Sequence, residues 1–186
     1  MFEQNKEQAK KIIFIDIDDT LADTRRAVYN LYVEVTGDAS GSINTKSKRY
    51  TDFCPTWTDE QVSDLFKTGY TLYEKVECIP GAKEAVNELI KRDYDVRIAT
   101  IHVATGVPAK QEWIDKHFPM LSEKVYYINS TNANKDVFEG HSIIDDDLRN
   151  IKNNKSIKPI LLDFYGIYDN TRVIQCKTWK EVLSNL

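Results

Sequence analysis

A short run of β-branched and aromatic residues, Ile12-Ile13-Phe14-Ile15, breaks off abruptly into acids: Asp16, Asp18 and Asp19, followed by Thr20 and Leu21. An apolar run of this kind, without polar alternation, predicts a strand buried on both faces, as in a parallel sheet. Three carboxylates at the end of such a strand repel one another, and a turn does not need them. They point instead to a site that a hard divalent cation neutralises.

The rest of the chain repeats the strand theme. DVRIAT ends at Thr100, VYYIN follows, SIID ends at Asp145, IKPILLD comes next, and VIQC closes the series. Amphipathic stretches separate them, one of them opened by Pro108 and ending near His117. Strands alternating with helices predict a Rossmann-like α/β core, a parallel sheet covered on both faces. The alternation fails once. Residues 23–78 are helical and irregular, with Gly37 ending one helix and Thr58 and Gln61 forming a capping box for another, whose apolar stripe runs through Val62, Leu65, Phe66 and Tyr73. We read them as a small helical cap inserted after the first strand. The core then comprises residues 1–22 and 79–186.

In open parallel sheets ligands bind beyond the carboxyl ends of the strands. Those ends carry Asp16 and Asp18, then Thr100, then Lys135 in an asparagine-rich loop, then Asp145 and Asp146. This set suits phosphate chemistry. A magnesium ion takes oxygen ligands and neutralises an incoming phosphate. One carboxylate attacks phosphorus and a second moves a proton. A lysine and a hydroxyl hold the phosphoryl oxygens.

The ordered set resembles the motifs of the haloacid dehalogenase superfamily, over about Lys11 to Asn150. Its D-x-D-x-T-L motif is similar to Asp16-Ile17-Asp18-Asp19-Thr20-Leu21, its strand-ending Ser/Thr to Thr100, its lysine to Lys135, and its paired acids to Asp145-Asp146. The resemblance implies a HAD-like fold. It implies Asp16 as nucleophile, Asp18 as acid/base and as a metal ligand through its backbone carbonyl, Thr100 and Lys135 on phosphate, and Asp16, Asp145 and Asp146 on Mg2+. A narrower likeness is to the cytosolic 5'(3')-deoxyribonucleotidases, carried by Leu21-Ala22-Asp23, Pro80-Gly81-Ala82, Trp113-Ile114 before His117-Phe118, and Asn134-Lys135-Asp136. That family usually has Gly-Val after its acid/base Asp, where this chain has Asp19-Thr20. It has Ser-Pro after its Thr, where this chain has Ile101-His102. The implied substrate is a nucleoside monophosphate. Rival expectations are a phosphatase for sugar phosphates or other small metabolites, a phosphoacceptor signalling module, and an inactive phosphate-binding protein.

Four further residues are expected at the substrate. Phe53 and Trp57 flank the irregular part of the cap and offer faces for a base to stack on. Thr20 is placed to hydrogen-bond Asp18. His102 follows Thr100 into the pocket.

Charge and cysteine usage narrow the class. A net charge of -4 and a pI near 5.5 give no electropositive field for a nucleic-acid polymer. Cys54, Cys78 and Cys176 form no metal-binding pair. With no apolar run long enough for a membrane, the expectation is a cytoplasmic protein, monomeric or homodimeric, with a small phosphorylated substrate as its partner.

Overall fold

The computed structural model describes residues 10–132, 135–155 and 157–186. Residues 1–9 of the expected core and Asn134 of the Asn134-Lys135-Asp136 turn lie outside the described residues. Strand β1 (Ile12–Ile15) is followed by helix α1 (Thr24–Thr36), which Asp23 caps by accepting from the Arg26 N–H. Gly37 ends α1 in a left-handed conformation (φ 69°), which a residue without Cβ adopts freely. Helix α2 (Asp59–Thr68) begins with the reciprocal Thr58–Gln61 capping box that its sequence predicts. It does not run on to Tyr73. Gly69 (φ 71°) breaks it, and a separate turn of helix, α3 (Tyr70–Tyr73), follows. A Cβ on Gly69 would lie 2.9 Å from that of Ala109, so the break is also a close contact with a later helix.

Helix α4 (Ala82–Lys91) leads to β2 (Asp95–His102), α5 (Val107–His117), β3 (Val125–Asn129), β4 (Ser142–Asp145), α6 (Leu148–Ile151), β5 (Lys158–Leu162), β6 (Ile174–Cys176) and α7 (Trp179–Ser184). The six strands form one parallel sheet in the order β3-β2-β1-β4-β5-β6. β2 extends two residues beyond Thr100, because Ile101 and His102 pair with Ile128 and Asn129.

The central strand β1 is buried on both faces, as its unbroken apolar sequence requires. Ile13 and Ile15 join a core with residues of α1, α4, α5 and α7, while Phe14 packs on the other side with Ala99, Ile143, Ile151 and Leu161. The segment between β1 and α4 leaves and rejoins the core at one point. Asp23 N–H donates to the Glu77 carbonyl and Ile79 N–H to that of Leu21, both at 2.8 Å. Among the described residues no helix is long and apolar enough to cross a membrane. Strand order reverses direction between β1 and β4, the place where open α/β sheets leave a crevice at their carboxyl edge.

Candidate active site

Asp16 and Asp145 stand at that crevice, each at the carboxyl end of its strand. Adjacent register brings them together: Ile15 pairs with Ile144, and the Asp16 N–H donates to the Ile144 carbonyl at 2.9 Å. Lys135 lies between them. Its ammonium is fully buried and donates to Asp16 Oδ1 and Asp145 Oδ2, both at 2.6 Å. The loop carrying it is held by Asn154, whose Nδ2 donates to the carbonyls of Lys135 (3.1 Å) and Phe138 (3.0 Å). Asp145 is fixed further by the Asp147 N–H at 2.8 Å and by Asn150 Nδ2 at 3.2 Å.

Asp146 completes the group. Carboxylate oxygens of Asp16, Asp145 and Asp146 lie within 4.8 Å of one another, and all three residues are buried. Burial raises Asp16 to about 6; the Lys135 charge opposes this, while Asp145 and Asp18 add to it. Burial also raises Asp146 to about 6, against the charge of Lys48. Lys135 is buried, which alone would lower it, but its two carboxylate partners hold it above the ordinary lysine value. Three oxygen donors and no sulfur or nitrogen make a set that fits a hard divalent cation.

Asp18 is held apart from this cluster. Its Oδ1 accepts from the Thr24 hydroxyl (2.7 Å) and the Tyr73 hydroxyl (2.6 Å), and its Oδ2 from Lys110 Nζ (2.7 Å). Burial alone would raise this carboxyl, but the Lys110 charge and these hydrogen bonds outweigh it, and Asp18 sits below the usual carboxylate value. Lys110 also donates to Thr100 Oγ1 at 3.1 Å, so Thr100 joins the same network from inside β2. The chain reaches Asp18 and turns at once, because Asp19 adopts φ 56°. Glycine takes that conformation without strain, and aspartate tolerates it better than most residues. Its carboxylate then caps the Arg25 N–H at 2.7 Å. Burial and the nearby Asp146 raise Asp19 to about 8.

A cleft of about 290 Å³ opens over Asp16 and Asp18. Its apolar wall comes from Tyr50, Phe66 and Tyr73 on one side and Ile101 and Val103 on the other. His102 lines it, its buried Nδ1 without a hydrogen-bond partner among the described residues. Phe53 and Trp57 do not line it. Phe53 is fully buried beneath the Arg25 guanidinium, 4.2 Å from its ring centroid, and Trp57 packs edge-on against Tyr32. The irregular segment folds inward at Phe53, so Tyr50 faces the cleft in its place. Thr20 is also corrected. It is buried and reaches Asp146 Oδ1 at 3.5 Å, while the hydroxyls on Asp18 come from Tyr73 and from Thr24, at the first position of α1.

Among the contacts not anticipated from sequence are those of Lys110, Lys48, Tyr73 and Arg25. Two of these carried a signal. Lys110 sits in a helical stripe with Trp113, Ile114 and His117, and Arg25 in one with Val28 and Tyr32; a charge on a buried face needs a partner. Tyr73 read as cap core and is buried, but its hydroxyl reaches Asp18. Lys48 lies in an irregular stretch with no periodicity to mark it.

The model of the family 5' nucleotidase, deoxy (pyrimidine), cytosolic type C protein matches residues 10–186 of the chain. Among curated proteins none matches significantly. Solved structures share the fold at low identity. The HAD-hydrolase YfnB from Bacillus subtilis, in a structure bound to magnesium, is 16% identical over 96% of this chain and 99% of its own, with a TM-score of 0.61. A haloacid dehalogenase-like hydrolase from Streptococcus pneumoniae is 14% identical over 95% and 98%, with a TM-score of 0.60. One from Xanthomonas campestris is 16% identical over 98% and 92%, with a TM-score of 0.57.

Proposed function

The chain belongs to the family of 5' nucleotidase, deoxy (pyrimidine), cytosolic type C proteins, and from that premise we propose that it is a magnesium-dependent 5'-nucleotidase of the cytosol that hydrolyses deoxypyrimidine nucleoside monophosphates through a phosphorylated Asp16. The observation that carries this reading is the separation of two carboxylates two residues apart. Asp16 belongs to the carboxylate cluster with Lys135, and Asp18 belongs to a distinct network with Lys110, Tyr73 and Thr24. Two roles need two environments.

Asp16, Asp145 and Asp146 would hold the divalent ion, with the Asp18 backbone carbonyl beside them. When bound, the ion neutralises phosphate charge and so lets an anionic carboxylate approach an anionic ester. Asp16 attacks phosphorus, the bond to the ester oxygen breaks, and Asp18 delivers a proton to that oxygen. Asp18 is ionised in the free protein because Lys110 holds it so. A phosphate dianion arriving beside it raises its affinity for a proton, which it takes from solvent before acting as the acid. Asp18 then takes a proton from water, whose oxygen attacks the phosphorus and releases Asp16. Thr100 and Lys135 hold phosphoryl oxygens.

Residues 23–78 act as the cap. They supply Tyr50, Phe66 and Tyr73, aromatic faces for a single-ring base, and Tyr73 ties the cap to Asp18. Opening the cap admits substrate and closing it limits water.

The experiment is phosphate release from a panel of nucleoside 5'- and 3'-monophosphates and sugar phosphates with Mg2+. The expected preference is for deoxypyrimidine 5'-monophosphates. Release from sugar phosphates alone would overturn the nucleotidase assignment and leave the reaction class standing.

A further inference from the structure

Lys48 lines the cleft and has no part in the chemistry above. Lys48 comes from the irregular stretch between α1 and α2, 98 residues in sequence from its partner Asp146. Its ammonium is ion-paired with Asp146 and lies 5.9 Å from the ring centroid of Tyr168, with the side chain only 18% exposed.

The backbone that delivers Lys48 is pinned. Arg25 on α1 is 1% exposed and spends its guanidinium on three alternate carbonyls just before Lys48. Nε donates to Ile43 at 2.7 Å, Nη2 to Thr45 at 2.9 Å and Nη1 to Ser47 at 2.7 Å. Phe53 and Tyr165 flank the same guanidinium, at 4.2 and 5.1 Å. A planar fork with directed donors fixes a loop in a way that a flexible ammonium could not. The Arg25 N–H is bonded to Asp19, next in sequence to Asp18, so the loop is referenced to the site itself. Lys48 is therefore presented to the carboxylates by construction.

Asp146 is also one of the three carboxylates suited to a divalent ion. An ammonium and a divalent cation at one carboxylate repel each other twice as strongly as two monovalent ions at the same distance. Either cation weakens the other's hold. Another acceptor open to an ammonium lining this cleft is the phosphate of a bound ester, since the same cleft leads to Asp16.

We propose that Lys48 is a substrate-binding residue carried by the cap, which rests on Asp146 in the free protein and passes to the substrate phosphate when a divalent ion takes the carboxylates. Metal loading and phosphate capture are coupled through this one side chain. The phosphate half rests on the phosphomonoesterase reading; the competition at Asp146 does not.

The test uses the full chain as wild type, Lys48→Met and Lys48→Arg, with folding checked by circular dichroism. Calorimetric titration with Mg2+ alone should show Lys48→Met binding the ion about tenfold more tightly, with Lys48→Arg near wild type. With saturating Mg2+ and a deoxypyrimidine 5'-monophosphate, Lys48→Met should raise KM about tenfold, with a smaller change in kcat, and Lys48→Arg should restore most of it. Unchanged or weaker Mg2+ binding in Lys48→Met overturns the competition, and an unchanged KM overturns the phosphate contact. Lys48→Gln repeats both measurements if the methionine variant loses its fold. Should the wild type release phosphate from no ester, the nucleotidase reading fails by itself and takes the phosphate half with it, while the Mg2+ titration still decides the contest for Asp146.

Discussion

Lys135 Nζ donates to Asp16 Oδ1 at 2.6 Å across 119 residues of sequence, and no part of that ammonium reaches solvent. The contact joins the end of the first strand to a loop that follows the third, and Asp145 from the fourth strand shares it. A buried cation between two buried anions is stable only while all three are present.

Removing that cation should therefore cost stability as well as activity. Lys135→Met is expected to destabilise the metal-free protein by about 3–5 kcal/mol, because Asp16 and Asp145 are left buried without a counter-charge. Magnesium should recover part of the loss by supplying positive charge to the same carboxylates. Urea denaturation with and without Mg2+ measures both, and equal stability of variant and wild type in the absence of metal would mean that Lys135 does not offset the two buried carboxylates.

The carboxylate cluster sets a pH dependence with a definite sign. Asp16 and Asp146 are raised from 3.8 to about 6, so the stability that their protonated forms contribute is present below about 4 and lost as pH rises through about 6. Metal must displace those protons, so Mg2+ binds more tightly at pH 8 than at pH 5. Thermal melts with and without Mg2+ should show the larger metal-induced rise in Tm at pH 8. An equal rise at both values would remove these two carboxylates from the metal site.

Lys110→Met tests the second network. Its loss removes the principal charge that lowers Asp18 and leaves burial to dominate, so the carboxyl should titrate at higher pH. The limb of the kcat/KM profile that belongs to Asp18 then moves to higher pH, alongside a fall in kcat. A profile with unmoved limbs would mean that Lys110 is not what tunes Asp18.

The aromatic wall separates base recognition from chemistry. Tyr50→Ala and Phe66→Ala should raise KM for a deoxypyrimidine 5'-monophosphate about tenfold, in line with about 1–3 kcal/mol for a stacked base. Neither should much alter hydrolysis of ribose 5-phosphate, which has no base. Phe53→Ala should instead lower thermal stability, since its ring lies under Arg25 in the interior. Parallel loss on both substrates would deny the wall a role in reading the base.

Much of this was legible in the chain before folding. The Ile12–Ile15 run specified a doubly buried strand because no residue in it could face water, and the Thr58–Gln61 cap is a local contact between residues three apart. The order of acids, threonine and lysine followed from their positions at strand ends. What escaped was set by tertiary geometry. Phe53 and Tyr50 are neighbours in an aperiodic stretch, and it is Phe53 that packs under Arg25 while Tyr50 lines the cleft. Tyr73 reads as one more apolar position until the Gly69 break points its hydroxyl at Asp18. Asp19 looks chemical in the sequence, yet its φ of 56° identifies it first as a backbone requirement.

In the proposed mechanism Asp16, and no other carboxylate in the cluster, takes the phosphoryl group. Borohydride reduction of enzyme quenched during turnover converts an aspartyl-phosphate to homoserine, which peptide mass spectrometry locates. Homoserine is expected at position 16 and absent from Asp16→Asn, whose turnover should fall by at least about 10³-fold. Label at position 18 or 145, or full phosphate release by Asp16→Asn, would contradict it.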